Sequence, residues 1–142
     1  MLVLDCQVSK EDWSNEIRER NGVAVPRAWH TNDQQTDGSG KWEPVVREII
    51  SYQHLSDDWD GLGAKAPSLE VLASAVALAH LFHERGVNPP HCVVPSPDGS
   101  INFEWQGPEG AVAEVEIDGP LHAEVMVMEP GKPARFWTIP AE

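Results

Sequence analysis

Three groups of residues in this chain carry side chains capable of chemistry. Asp57, Asp58 and Asp60 crowd into the segment LSDDWDGLGAKAPS, Leu55 to Ser68. Carboxylates this close could ligate a cation, but the regular acidic spacing and distal glutamate of a calcium loop are missing. The same aspartates can accept backbone N–H bonds in a tight turn, while Gly61 and Gly63 permit positive φ. Turn chemistry therefore predicts a structural corner in which Trp59 is buried and its indole N–H is satisfied nearby.

The second group is His80 and His83, followed by Glu84. On a helix this spacing turns two nitrogens toward one face, and His91 is a possible third ligand, so a metal-binding regulator is one reading. No HExxH pattern accompanies them, and a helix dipole favours histidines near its C-terminus without any metal. The third group pairs Asp58 or Asp60 with Glu104, which could run acid–base chemistry in a small enzyme if a cleft joined them. Other catalytic signatures are missing. The chain has no GxSxG, and Asp37-Gly38-Ser39-Gly40-Lys41 lacks the flanking strand and spacing of a phosphate loop. Cys6 and Cys92 form no CxxC pair, and their apolar contexts predict reduced core thiols. The expectation is a non-enzymatic protein with no catalytic residue, no metal and no cofactor.

The elements that must position these residues follow from periodicity. Residues 1–40 read as an extension: a short edge strand over 2–6, a helix capped by Ser9 and ended by Asn21-Gly22, then a polar loop from His30 to Gly40. Residues 41–142 read as one α+β domain. Its first helix runs from Trp42 to Leu55, with Pro44 suited to a first helical position. Its second runs from Ser68 to Arg85, with Leu69, Leu72, Val76, Ala79 and Phe82 on one face.

After Pro89-Pro90 the period becomes two. His91 to Val94 is a short apolar run. Ile101, Phe103 and Trp105 alternate with polar residues, as do Ala113, Val115 and Ile117 and then Ala123, Val125 and Val127. Tight turns between them predict an antiparallel meander of four or five strands, with Arg135 to Ile139 as a last strand of ambiguous phase. Pairing Trp105 with Ala113 leaves the loop Pro108-Glu109-Gly110, which suits a type I turn closed by a bulge. Pairing Ile117 with Leu121 gives the next hairpin. Both helices should cover the apolar face of the sheet. The opposite face gathers Glu104, Glu114, Glu116 and Glu124, with Asn102 and His122.

The chain has 23 acids against 10 bases, a formal charge of -13, and the residues from Lys41 onward hold 16 of the acids and 6 of the bases. This field repels phosphate backbones and anionic lipid, so neither direct nucleic-acid binding nor membrane association is expected. It favours a basic protein partner, although an acidic surface can equally be merely solvated. The tryptophans Trp13 and Trp29 of the extension are candidate partner anchors, or else staples to the core. The N-terminus lacks the pattern of a signal peptide, and VLASAVALAHLF is too short to span a bilayer, which predicts a cytoplasmic protein.

LSDDWDGLGAKAPS, the helix after it and VVPSPDGSINFEW together resemble a group of small bacterial proteins that share a WDGxGA … DGxIxxEW pattern. In this chain the pattern is carried by Trp59, Asp60, Gly61 and Gly63 and by Asp98, Gly99 and Trp105, within Val45 to Ile117. The resemblance implies a bacterial or phage accessory protein and assigns no catalytic residue. An antitoxin, immunity or other defence-system role is an analogy of class, since small acidic proteins often neutralise basic enzymes.

Overall fold

The computed structural model describes residues 9–13 and 39–139. Cys6, Trp29, the expected strand over 2–6 and most of the expected polar loop lie outside those residues. Helix α1 spans Ser39–Ser51 and continues into a short 3-10 turn, Tyr52–His54. It starts ahead of the expected domain start at Lys41, so Pro44 lies inside it rather than at its first position. One helical hydrogen bond is lost there. Helix α2 spans Leu69–Glu84. The Ser68 Oγ accepts the Val71 N–H at 3.1 Å, and Gly86 leaves the helix at φ 78°, as the cap residues require.

Five strands follow: β1 Cys92–Pro95, β2 Ile101–Gln106, β3 Val112–Gly119, β4 His122–Met128 and β5 Arg135–Ile139. They form one antiparallel sheet in the order β1-β2-β3-β4-β5. This is the expected α+β architecture, with both helices on one face of a meander. The β2–β3 register is the expected one, with Ile101 opposite Ile117, Phe103 opposite Val115 and Trp105 opposite Ala113. Its turn differs: Glu109 has φ 59° and ψ 28°, so the residue after Pro108 is left-handed and the turn is not type I.

The β3–β4 register also differs from expectation. Ile117 faces Ala123 rather than Leu121, and Val115 faces Val125. The strands close through Pro120-Leu121, with Leu121 at φ 53° and an irregularity between Ile117 and Gly119. A slip of two residues keeps every side chain on its face, so alternation alone cannot detect it. β5 takes the phase in which Trp137 faces Val125 and Ile139 faces Ala123.

The inner face of the sheet is filled by Ile101, Phe103, Trp105, Ala113, Val115, Ile117, Ala123, Val125, Val127 and Ile139, all buried. Phe82 of α2 meets the edge of Trp105 with ring centroids 5.9 Å apart, and Trp105 meets Phe103 at 6.0 Å. Such edge contacts suit the charge distribution of aromatic rings. The expected single apolar stripe on α2 is only part of its buried surface. Ser74, Ala75, Ala77 and Leu81 are buried as well, while Leu69 is exposed. The helix is a middle layer, with the sheet on one side and α1 and Trp13 on others.

Indole N–H groups tie these layers together: Trp13 to the Ser74 carbonyl at 2.7 Å, Trp42 to that of Val87 at 2.9 Å and Trp105 to that of Asn88 at 2.7 Å. The Tyr52 hydroxyl donates to the Val93 carbonyl at 2.9 Å. Burial first, then Glu48, pushes this phenol's pKa well above its ordinary value of 10.0. Among the described residues no helix is long and apolar enough to cross a membrane.

The fully buried Ser74 Oγ accepts the Leu121 N–H at 3.1 Å, which fastens α2 to the β3–β4 turn. Ser74→Ala raises helix propensity by roughly 0.5 kcal/mol but orphans that N–H, at a cost of about 1–3 kcal/mol. A net loss of about 1 kcal/mol is expected in urea titration. An unchanged or raised stability would show that the turn does not depend on this bond.

Candidate functional site

The two sequence motifs form a corner and a turn that touch. In the first, Asp58 Oδ1 accepts the Gly63 N–H at 2.7 Å, and Asp60 Oδ1 accepts those of Leu62 at 2.8 Å and Ala64 at 3.0 Å. Asp57 Oδ1 accepts the Ala66 N–H at 2.9 Å, and the Trp59 indole donates to the Lys65 carbonyl at 3.0 Å. The backbone bonds from Leu62 and Ala64 hold the Asp60 pKa below its ordinary 3.8. In the second motif, Asp98 Oδ1 accepts from both the N–H and the hydroxyl of Ser100, which lowers its pKa likewise. The Lys65 N–H donates to the Pro97 carbonyl at 2.8 Å, and a Cβ on Gly99, at φ 92°, would meet the Ala66 carbonyl at 3.6 Å. These carboxylates are occupied in building a joint. Neither Asp58 nor Asp60 lines any of the cavities described below, and neither shares one with Glu104.

His80 and His83 line a cleft of about 410 Å³ with Ser9, Lys10, Val76 and Glu84. Lys10 is ion-paired to Glu84. Partial burial first, then His83 and then Lys10, keeps the His80 pKa below 6.5. A cleft that already holds an ammonium is a poor place for a metal cation, and among the described residues these histidines belong to no cluster of three potential ligands. Trp13 is fully buried, so its ring is not available as a surface anchor and staples residues 9–13 to α2 instead. Cys92 is not a core thiol: it is exposed at the start of β1, on the outer face. Partial burial and the neighbouring Glu104 raise its pKa above 9.0, which keeps it a protonated, weak nucleophile.

The largest assembly of like groups is on the outer face of the sheet. One row across the strands reads Cys92, Glu104, Glu114, Met126, Phe136, and the next reads Val94, Asn102, Glu116, Glu124, Thr138. Strand alternation thus sets Glu104 directly opposite Glu114 and Glu116 directly opposite Glu124. Glu104, Glu114 and Glu116 are half-buried, and Glu124 is exposed. Among the described residues no lysine or arginine is ion-paired with any of the four. Partial burial first, then Glu104 and then Glu116, holds the Glu114 pKa above its ordinary 4.5. Carboxylate oxygens of Glu116, Asp118 and Glu124 lie within 4.8 Å of one another, a set able to hold a hard cation, although Asp118 is already paired with His122.

Beside the acids lie apolar side chains that pattern reading missed. Met128 is 45% exposed and Phe136 73% exposed, and Phe136 joins Glu114, Glu116, Glu124 and Met126 around a shallow depression of about 250 Å³. The ambiguous phase of the last strand hid this, since either phase would bury some aromatic. Asn102 shares the row of Glu116 but is only 6% exposed. Its amide N–H donates to Ser96, and its carbonyl oxygen has no hydrogen-bond partner. Another concavity, of about 440 Å³, opens at one end of the sheet between Pro89, His91, Trp105, Glu109 and Lys132. There the His91 Nδ1 accepts the Gln106 N–H at 3.1 Å, so the ring's proton is left to Nε2 in the neutral form.

No protein-family model, curated protein or solved structure matches this chain. The acidic outer face therefore has to be interpreted from its own geometry.

Glu114 binds its proton more tightly folded than unfolded. Its contribution opposes folding when both forms are ionised and fades as pH falls through its raised folded pKa toward 4.5. Asp60 and Asp98 act oppositely: their contribution is present above 3.8 and is lost as pH falls through their lowered folded values. On the mild-acid limb Glu114 should add stability as pH falls through its raised pKa toward 4.5. His80, whose lowered pKa favours the neutral ring, should remove stability as pH falls below 6.5. Strong acid should lower stability through Asp60 and Asp98. Glu114→Gln should raise stability at neutral pH by up to about 1 kcal/mol and remove the Glu114 gain from the mild-acid limb. Urea titrations across pH check both. An unchanged mild-acid limb in the variant would remove Glu114 as its cause.

Proposed function

We propose that this chain is a cytoplasmic, non-enzymatic docking protein that presents the outer face of its sheet to a basic protein partner. The supporting observation is the set of four glutamates, Glu104, Glu114, Glu116 and Glu124, held on one face without a basic counter-residue among the described residues. Repulsion within this set is relieved when a cation arrives, and that gain is electrostatic complementarity. Met128 and Phe136 add apolar area at the rim, the mixture that protein interfaces use. Half-burial of three of the glutamates also distinguishes the face from a freely solvated one. The outer position of the acids leaves the corner motif, Trp59 to Gly63, and the turn at Asp98-Gly99 with an architectural role. The motif resemblance to small bacterial accessory proteins agrees with this reading, as does an antitoxin, immunity or defence-system role in which an acidic protein covers a basic enzyme.

The test is affinity capture from the native host with wild type beside a variant in which Glu114, Glu116 and Glu124 are changed to Lys. Far-UV circular dichroism would verify that both are folded. A basic protein should be retained by wild type and lost by the variant, and its retention should weaken as salt is raised. Equal retention by both proteins would sink the acidic face as the interface.

A further inference from the structure

The two edges of the sheet are finished differently. At β1 the edge is closed. The strand ends in Pro95, and the Val93 carbonyl is taken by the Tyr52 hydroxyl from the helical side. Proline and side-chain caps of this kind keep a strand edge from pairing. At β5 no further strand pairs with the edge among the described residues. Arg135–Ile139 contains no proline or lysine, and its backbone ladder runs to β4 alone among the described residues, while the Arg135 guanidinium pairs with Glu129 beyond the end of β4. Alternate N–H and C=O groups of an edge strand point away from its one partner.

The side chains around this edge have a common preference. On the outer face β5 presents Phe136 and Thr138, with Met126 and Glu124 directly behind them on β4. Glu114 and Glu116 lie one strand further in. A lysine on a strand added beside β5 would lay its stem over Phe136 or Thr138 and carry its ammonium toward these carboxylates, with a cation–π contact to the exposed ring. On the inner face the added strand would extend the row of the half-buried Trp137, which accepts an apolar side chain. A second copy of this chain fits badly, because edge-to-edge pairing would bring two chains of charge -13 and two acidic faces together.

We infer that the edge of β5 receives an extended segment of alternating basic and apolar residues from the partner, as a sixth strand of the sheet. This rests on the acidic-face reading and adds to it a backbone mode of recognition.

The probe is a short peptide of alternating lysine and valine, titrated into the isotopically labelled chain with amide hydrogen exchange followed by NMR. Two control peptides accompany it, one with glutamate in place of lysine and one methylated on its backbone nitrogens. The lysine peptide should bind and slow exchange of β5 amides. Each control should bind about tenfold more weakly or worse, and Phe136→Ser, a change at an exposed side chain, should also weaken binding. Equal binding of the methylated peptide would overturn strand addition while leaving the acidic face intact as a docking surface. Equal binding of the glutamate peptide would overturn both. No binding, or protection of β1 instead of β5, would overturn the strand assignment alone. Concentration-dependent protection of β5 without peptide would replace the partner strand by a second copy.

Discussion

The structure depends on burying one face of a single sheet under a helix that is itself buried. The inner row of β2, β3 and β4 is apolar at every second residue, and α2 packs on it, with Phe82 against Trp105. At about 25 cal/mol per Å² of apolar surface, burial on this scale is the main favourable term in folding. It also restricts everything else. Every strand must keep its alternation, every turn must return the chain in phase, and α2 must have its far side covered. Trp13, Trp42 and α1 supply that cover, and each indole is satisfied by a backbone carbonyl rather than left unpaired.

The corner from Asp57 to Ala66 is a consequence of the same requirement. The chain leaves α1 and must enter α2 at a fixed position over the sheet. Three aspartates bind the backbone N–H groups of the reversing segment, and Asp58 itself takes φ 65°. The loop then leans on the Asp98-Gly99 turn through Lys65 and Pro97. The residues with the most conspicuous carboxylate spacing in the sequence are therefore used to orient a helix. Their charge is spent locally on backbone donors, and that is why they do not converge on a cavity.

Covering one face leaves the other to solvent or to a partner. Alternation sends every intervening residue of β2, β3 and β4 outward, so glutamates spaced two apart become neighbours across strands. The raised pKa of Glu114 reflects partial burial first and then this crowding by Glu104 and Glu116. The apolar side chains at the β4–β5 end, Met128 and Phe136, sit on the face away from α2, beside the last strand of the sheet among the described residues. Among the described residues the acidic surface and the unpaired β5 edge thus come from a single cause, a meander with helices on one side.

Much of this was legible in the residues. Ser68 and Gly86 marked the ends of α2, and the alternation in β2 and β3 placed Glu104, Glu114 and Glu116 on one face, because period and cap chemistry are local properties of the chain. The β2–β3 register was legible for a further reason: its short loop leaves few closures that keep both strands in phase. The β3–β4 register was not, because a shift of two residues preserves both faces, and the bond from the Leu121 N–H to Ser74 of α2 is a tertiary contact that alternation does not encode. Nor could the sequence tell that Trp13 is buried, that Cys92 is exposed or that Phe136 faces outward. Each of these depends on which surface another element happens to cover, and covering is decided by the assembled core rather than by any residue's own neighbours.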